Sequence, residues 1–245
     1  MKKRLLIYIM LVAHAVTLMA AAPDAKSQFM QDLNNSLAKM QNENFMMEMS
    51  YNLYADKVEG KPEESSYYKI ARLNNYVYTE NHLMTYYSNS SYQASIYSKD
   101  KIVVINKAEP NKKLKVEQFL MTDSTLWNTY SNIQLLADTL NTRTYSIQFQ
   151  SSSPVKSFEI TFDVAHNRLI KNIISFNTSY TRLLAKNNTD KSSKIMVVEF
   201  VKQKVLTSTD ANLFYNPNIK VGKAGAVELN NTLKSFKLYN YLNKR

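Results

Sequence analysis

The stretch FMMEMSYNL (45–53) decides the fold. Phe45, Met47, Met49, Tyr51 and Leu53 alternate with Met46, Glu48, Ser50 and Asn52. Side chains of an extended chain point to opposite faces in turn, so a period of two predicts a strand with one buried face. The residues before it keep a different period. Met30, Leu33, Leu37 and Met40 recur at steps of three and four, one face of a helix with Ser27 as its N-cap and an end near Asn42.

Downstream, strands follow closely. Gly60-Lys61-Pro62 marks a turn, and Asn74-Asn75, suited to a left-handed turn, separates strands at 66–73 and 76–82. Strands at 92–98 and 101–106 flank Lys99-Asp100; the apolar run 102–105 predicts cover on both sides. Another strand is expected at 114–119. Asp123 then caps a second helix, in which Leu126, Tyr130, Ile133, Ala137 and Leu140 recur at helical spacing. Three alternating strands follow, carried by Tyr145, Ile147 and Phe149, by Phe158, Ile160 and Phe162, and by Ile170, Ile174 and Phe176, with a turn at His166-Asn167. A polar loop at 183–194, a long strand at 194–206, a helical turn at 210–214 and a last strand at 233–242 complete the chain. Short turns between consecutive strands mean antiparallel pairing, and so many strands curl. The expected fold is α+β. It is a single curved antiparallel sheet of about eleven strands, an open half-barrel with two long helices on the concave side. It forms one domain over 27–245, with a C-terminal extension at 222–245.

Composition excludes much. The 245 residues contain no cysteine, so disulfides, thiol catalysis and a lipid-modified N-terminal Cys are out. Glycine occurs only at 60, 222 and 225, and no phosphate loop, dinucleotide turn or nucleophile elbow is present. His14, His82 and His166 are the only histidines, too few after residue 22 for a zinc site. Glu159 and Asp163 share a strand face, but i, i+4 in a strand is about 13 Å, too far for a glycosidase pair. The reading is therefore non-enzymatic, with no cofactor, no metal and no catalytic residue. Five Asn-x-Ser/Thr sequons match the number that chance gives for this composition.

MKKRLLIYIMLVAHAVTLMAAA (1–22) has a basic start, an apolar run from Leu5 and a small-residue end, the pattern of a cleavable signal peptide with its cut near Ala20 to Ala22. Export without cysteine suits a bacterial periplasm. The formal charge is +11; without residues 1–22, 28 basic face 20 acidic residues. Export argues against a nucleic-acid partner. Scattered lysines allow peripheral contact with an anionic membrane.

The layout resembles the periplasmic lipoprotein-carrier family, the LolA/LolB-type half-barrel. DKIVVINKAEP (100–110) resembles the family's segment after its first meander, IQLLADTL (133–140) its mid-chain helix, FEITFDVAHNRLIKNIISF (158–176) its hairpin. IMVVEFVKQKVLTSTDANLFYNP (195–217) resembles its penultimate strand and the turn with Phe214 and Pro217. The resemblance implies that Arg72 is the arginine that bonds the lid helices, in a stretch (71–75) lacking the family's proline and glycine. It implies binding of lipid, acyl chains or lipoprotein. Cavity candidates are Phe45, Met47, Met49, Tyr51, Leu53, Tyr145, Ile147, Phe149, Phe158, Ile160 and Phe162. The same residues read equally as core. The alternative partner is a protein of a bacterial envelope or secretion assembly, for which this chain is a docking subunit.

Export is checked by N-terminal sequencing of protein recovered from the periplasm. The chain is expected to start near Ala21 to Pro23; a start at Met1, or retention in the inner membrane, contradicts the signal-peptide reading.

Overall fold

The computed structural model describes residues 24–42, 44–109, 129–178 and 193–242. The signal segment, the strand expected at 114–119, Asp123, Leu126 and most of the loop at 183–194 lie outside the described residues.

Helix α1 spans Ala25–Asn42. It starts three residues earlier than a cap at Ser27 implies. Asp24 is the cap: its carboxylate accepts from Ser27 N–H and from Ser27 Oγ, both at 2.9 Å. Those bonds hold the Asp24 carboxyl below its ordinary value.

Two meanders follow. The first holds β1 (Phe45–Ala55), β2 (Glu64–Leu73), β3 (Tyr76–Asn81), β4 (Thr85–Ser88), β5 (Tyr92–Tyr97) and β6 (Ile102–Lys107). The second holds β7 (Tyr130–Asp138), β8 (Thr142–Phe149), β9 (Val155–Asp163), β10 (Arg168–Phe176) and β11 (Lys194–Val205). β11 pairs antiparallel with β1 and joins them. With glycine so scarce, asparagine takes left-handed turns: Asn74 (φ 54°) between β2 and β3, and Asn167 (φ 50°) between β9 and β10. Beyond β11 come a 3₁₀ helix (Ser208–Phe214), the small hairpin β12 (Ile219–Val221) and β13 (Val227–Leu229), and β14 (Lys237–Asn240). From edge to edge the sheet runs β14-β6-β5-β4-β3-β2-β1-β11-β10-β9-β8-β7. Its two edges do not pair, so the sheet is open and curved.

The expected architecture needs correction in four respects. The sheet has twelve strands, and it is mixed, because β14 runs parallel to β6. The described residues contain one long helix, not two. The segment expected to be the second helix is the edge strand β7. Its helical spacing has a specific origin. Tyr130 and Ile133, three residues apart, sit opposite Phe149 and Ile147, two residues apart, because a β-bulge takes up the extra residue. A second bulge lies between Leu135 and Ala137. Bulges convert a period of two into steps of three, which mimic a helix. Likewise a bulge after Leu169 turns Leu169 inward and leaves Ile170 38% exposed, reversing the expected role of Ile170. Finally, the last strand is only 237–240, preceded by a 3₁₀ turn, Asn231–Leu233.

Each half of the sheet is covered on a different face. α1 lies on the face carrying Met47, Met49, Ile70, Tyr145, Ile147, Phe158, Ile160, Ile174, Val198 and Phe200. The C-terminal segment lies on the opposite face of the first meander. There Phe214 packs with Met46, Ala71, Leu73 and Tyr78, while Ile219 and Leu233 pack with Tyr92, Ala94, Ile96, Val103 and Ile105. In β6, Val103 and Ile105 are fully buried while Ile102 and Val104 are half-buried, so cover is complete on one side only. Asn89 Nδ2 donates to Phe214 O (2.9 Å), fixing the 3₁₀ helix to the β4–β5 turn.

Phe214 is fully buried and anchors this cover. Phe214→Ala is expected to cost about 3–5 kcal/mol, the range for a large buried aromatic, read by chemical unfolding. A loss below about 1 kcal/mol, small against that range, would show that the C-terminal segment is dispensable to the sheet.

Candidate functional site

The strand faces singled out in the sequence converge. Phe45, Met47, Met49, Tyr145, Ile147, Phe149, Phe158, Ile160 and Phe162 are buried in one cluster, with Tyr51 half-buried against it. Leu53, farther along β1, is half-buried outside it. The lid of the cluster is α1, which contributes Phe29, Leu33 and Met40, with Leu37 partly covered. Phe29 meets Tyr145 edge-on at 5.3 Å between centroids and Phe162 at 6.1 Å, and Tyr145 meets Phe162 at 6.0 Å. Edge-to-face rings of this kind add about 0.5–1.5 kcal/mol per pair to the area buried.

Polar contacts fix α1 along its length. In its middle, Asp32 is buried against the sheet and accepts from Tyr145 Oη at 2.6 Å and from Arg143 Nη1 at 3.1 Å. Arg143 Nε also donates to Asp138 of β7 (3.0 Å). At the C-terminal end, Arg72 Nη2 donates to the Gln41 carbonyl and its guanidinium sits 5.5 Å from the Phe45 ring centroid. Lys39 Nζ donates to the His166 carbonyl at 2.8 Å. Arg72 thus contacts the helix that covers the apolar face. Asp32 carried no signal in the sequence, since a lone Asp within an amphipathic helix reads as solvated until its partner strand is known.

The seam is not fully satisfied. Ser36 Oγ, one turn past Asp32 on α1, is buried without a hydrogen-bond partner. So is Asn172 Oδ1 on β10, in the same cross-sheet row as Ile160 and Tyr145. A buried polar group left unpaired costs about 1–3 kcal/mol, which offsets part of what α1 gains by burying its apolar stripe.

A crevice of about 30 Å³ opens beside the last turn of α1, with Met40, Phe45 and Met47 among its walls. The two remaining histidines lie away from the cluster. His82 faces Ser66 (3.3 Å), and His166 bonds Asp163 (2.8 Å) in the exposed β9–β10 turn. Among the described residues no group of His, Asp and Glu could hold a metal ion, and no helix is long and apolar enough to cross a membrane.

No family model and no curated protein sequence matches the chain. Among solved structures it is similar to an uncharacterized conserved protein from Thermus thermophilus (TM-score 0.40, 10% identity, 81% of this chain and 96% of that one). It is similar to MucB (TM-score 0.42, 10% identity, 85% of this chain and 66% of that one). It also overlaps a DUF1329 family protein from Desulfovibrio piger (TM-score 0.25, 8% identity, 75% of this chain and 96% of that one). These overlaps are too loose to define a shared fold.

Asp32→Ala strands the buried Tyr145 hydroxyl and one face of Arg143. It is expected to lower stability by about 2–3 kcal/mol, whereas Tyr145→Phe keeps the ring packing and costs about 1 kcal/mol; urea unfolding measures both.

The same burial predicts alkaline sensitivity. Desolvation pushes Tyr51 up to about 12, and burial together with the bond to Asp32 raises Tyr145. Both hold their protons more tightly folded than unfolded. Their contribution is therefore complete below pH 10, the ordinary tyrosine value, and is lost as pH rises from there toward 12. Unfolding midpoints across that window should fall, with tyrosinate absorbance appearing at the unfolding transition. Midpoints that stay flat to pH 12 would contradict the burial of these hydroxyls.

Proposed function

We propose that this is an exported, non-catalytic periplasmic protein of the lipoprotein-carrier type. It binds an acyl chain, a lipid or an acylated protein on the sheet face that α1 covers. One observation carries this reading: among the described residues, the aromatic and methionine face of β1 and β8–β11 is covered by the amphipathic helix α1, and the seam between them holds unpaired polar atoms. Methionine and phenylalanine accommodate a flexible guest, and an acyl chain replacing α1 recovers about 25 cal/mol per Å² of apolar area. The guest's gain is measured against what α1 gives up, and the unpaired Ser36 and Asn172 atoms reduce that amount.

A second reading has its own support. Among the described residues β7 is an edge strand that leaves Leu135 and Leu136 exposed, with Leu140 just beyond it 92% exposed; it contains no lysine or proline, and its two bulges are what blunts the edge. The exposed leucines suit a protein partner in an envelope assembly.

Mass spectrometry of natively purified protein separates the two. Co-purified lipid or acylated protein favours the carrier, and a stoichiometric protein without lipid favours the docking subunit. Met47→Glu places a carboxylate on the fully buried inner face. A loss of about 3 kcal/mol in binding, over a hundredfold in affinity, is expected for a fluorescent fatty-acid probe. Near-native melting with lost uptake supports the carrier, and collapsed melting marks the face as core alone. The double variant His82→Gln/His166→Gln should retain function in a complementation assay, and a large loss would contradict the non-enzymatic reading.

A further inference from the structure

We propose that the β14 border of the sheet is a docking face for an anionic lipid bilayer, and that it holds the protein at the membrane surface by charge alone. This rests on the export reading and is independent of what lies beneath α1.

Charge is spread unevenly along the chain. Residues 215–245 carry six basic residues and one acidic residue, whereas the whole chain after residue 22 carries 28 and 20. The fold gathers much of this excess along one border. β14 is the outermost strand, beside β6. Lys237 N–H donates to Lys101 O at 2.8 Å, which brings the start of β14 onto the β5–β6 turn with its Lys99 and Lys101. Lys234 lies in the turn that leads into β14, where its N–H donates to Asn231 O (3.1 Å). At the other end of β14, Asn240 Nδ2 donates to Gly225 O at 2.9 Å and brings in the tip of the β12–β13 hairpin with Lys223. Five lysines thus border a strand of four residues.

All five are exposed, and Lys237 lies 4.8 Å over the Tyr239 ring rather than on a carboxylate. Elsewhere Lys57, Lys69, Lys171, Lys194 and Lys204 each reach an acidic side chain. Three carboxylates lie near the border. Asp100 sits between Lys99 and Lys101, Glu228 stands opposite Lys220 on the hairpin, and Glu109 follows the far end of β6. From Lys237 to Asn240 the strand rises about 10 Å, close to the Debye length of about 10 Å in 0.1 M salt, so the fields of these lysines add. Lysine is a compact, hydrated point charge, which suits a fluid layer of anionic headgroups; interfaces between proteins favour arginine and are poor in lysine. Tyr239 and Tyr241, half-buried on the same border, are of the amphipathic type that collects at bilayer surfaces. Among the described residues, none of the large exposed apolar side chains lies beyond Val205, so the border has nothing to insert and attaches electrostatically.

The test is co-sedimentation of the periplasmic chain with vesicles of dioleoyl phosphatidylcholine alone or mixed equally with dioleoyl phosphatidylglycerol. A lysine near an anionic bilayer contributes about fivefold in affinity. Binding to the mixed vesicles is expected to be at least tenfold tighter than to the neutral ones, and molar sodium chloride should abolish it. Lys101→Gln/Lys234→Gln/Lys237→Gln should weaken it at least tenfold. Lys61→Gln/Lys156→Gln/Lys202→Gln removes the same charge from exposed sites elsewhere and should leave it within about twofold. Equal binding to both vesicles, equal loss in the two variants, or binding that survives molar salt overturns the proposal. So does a photo-crosslinker at position 237 that captures an acidic protein in the periplasm and no lipid. The salt and lipid series on the unaltered chain decide the matter even if a variant does not fold. The fatty-acid probe reads the face beneath α1 separately, so either reading can fail alone.

Discussion

Strand β1 serves two cores at once, and the arrangement of the rest follows from that. It lies between β2 and β11, near the middle of the sheet, and Phe45, Met46, Met47 and Met49 are all buried. Met47 and Met49 face α1, and Met46 faces Phe214 and Leu206. A strand buried on both faces needs covers on both, and the chain supplies them from its two ends. α1 comes immediately before β1, and the segment from Leu206 onward leaves β11, the partner of β1, to cross the other face. The covers sit diagonally: α1 over the second meander and the C-terminal segment over the first.

The two covers are built differently. The C-terminal segment is joined to the sheet by backbone: Lys237 N–H donates to Lys101 O and Tyr241 N–H to Ile105 O, both at 2.8 Å, and β14 extends the sheet itself. Moving it would break a ladder. Among the described residues, α1 makes no backbone bond to the sheet. It is held by apolar packing, by the Asp32–Tyr145–Arg143 cluster and by side chains reaching its last turn. Side-chain bonds exchange with water one at a time, and each is worth about 0.5–1.5 kcal/mol net, more where charged. On the carrier reading, that contrast makes α1 the cover that gives way rather than the C-terminal segment.

Much of this was legible in the sequence, and the failures have physical causes. Alternation located β1, β8 and β9, where pairing is regular and one face is buried, and the same alternation found the apolar cluster. It failed at β7, because two bulges shift the register and produce helical steps. It failed at Ile170 for the same reason. The alternation of 45–53 implied one buried face, yet Met46 is buried too, because a strand's second face is decided by a segment from the far end of the chain. The hairpin β12–β13 and the four-residue β14 carry too few residues to show any period. Asp32 was invisible because its meaning lies in partners brought together from distant strands. The short strand β4 passed unread between the Asn81 and Asn89 turns, which its tyrosines did not distinguish from loop.

The face beneath α1 also has a boundary that bears on what can lie there. Across β1 and β2 it remains apolar, through Met47 and Ile70, and it reaches Val77 on β3, but beside Val77 stands Thr79, and in the row of Val77 come Ser88 on β4 and Gln93 on β5. Thr79, Ser88 and Gln93 are buried and polar, and Gln93 Nε2 has no hydrogen-bond partner. An acyl chain gains nothing by crossing onto them, since it would desolvate polar groups without replacing their bonds. The apolar floor thus lies chiefly on β1, β2 and β8–β11, and its long direction follows α1. From Met40, at the crevice, back to Asp32 the helix rises about 12 Å, and to Phe29, in the aromatic cluster, about 16 Å. On the carrier reading, a guest entering beside Met40 would have the shorter of those lengths of apolar surface before it meets the bond between Asp32 and Tyr145. On the proposed carrier reading, this geometry suits one extended chain laid along the helix track.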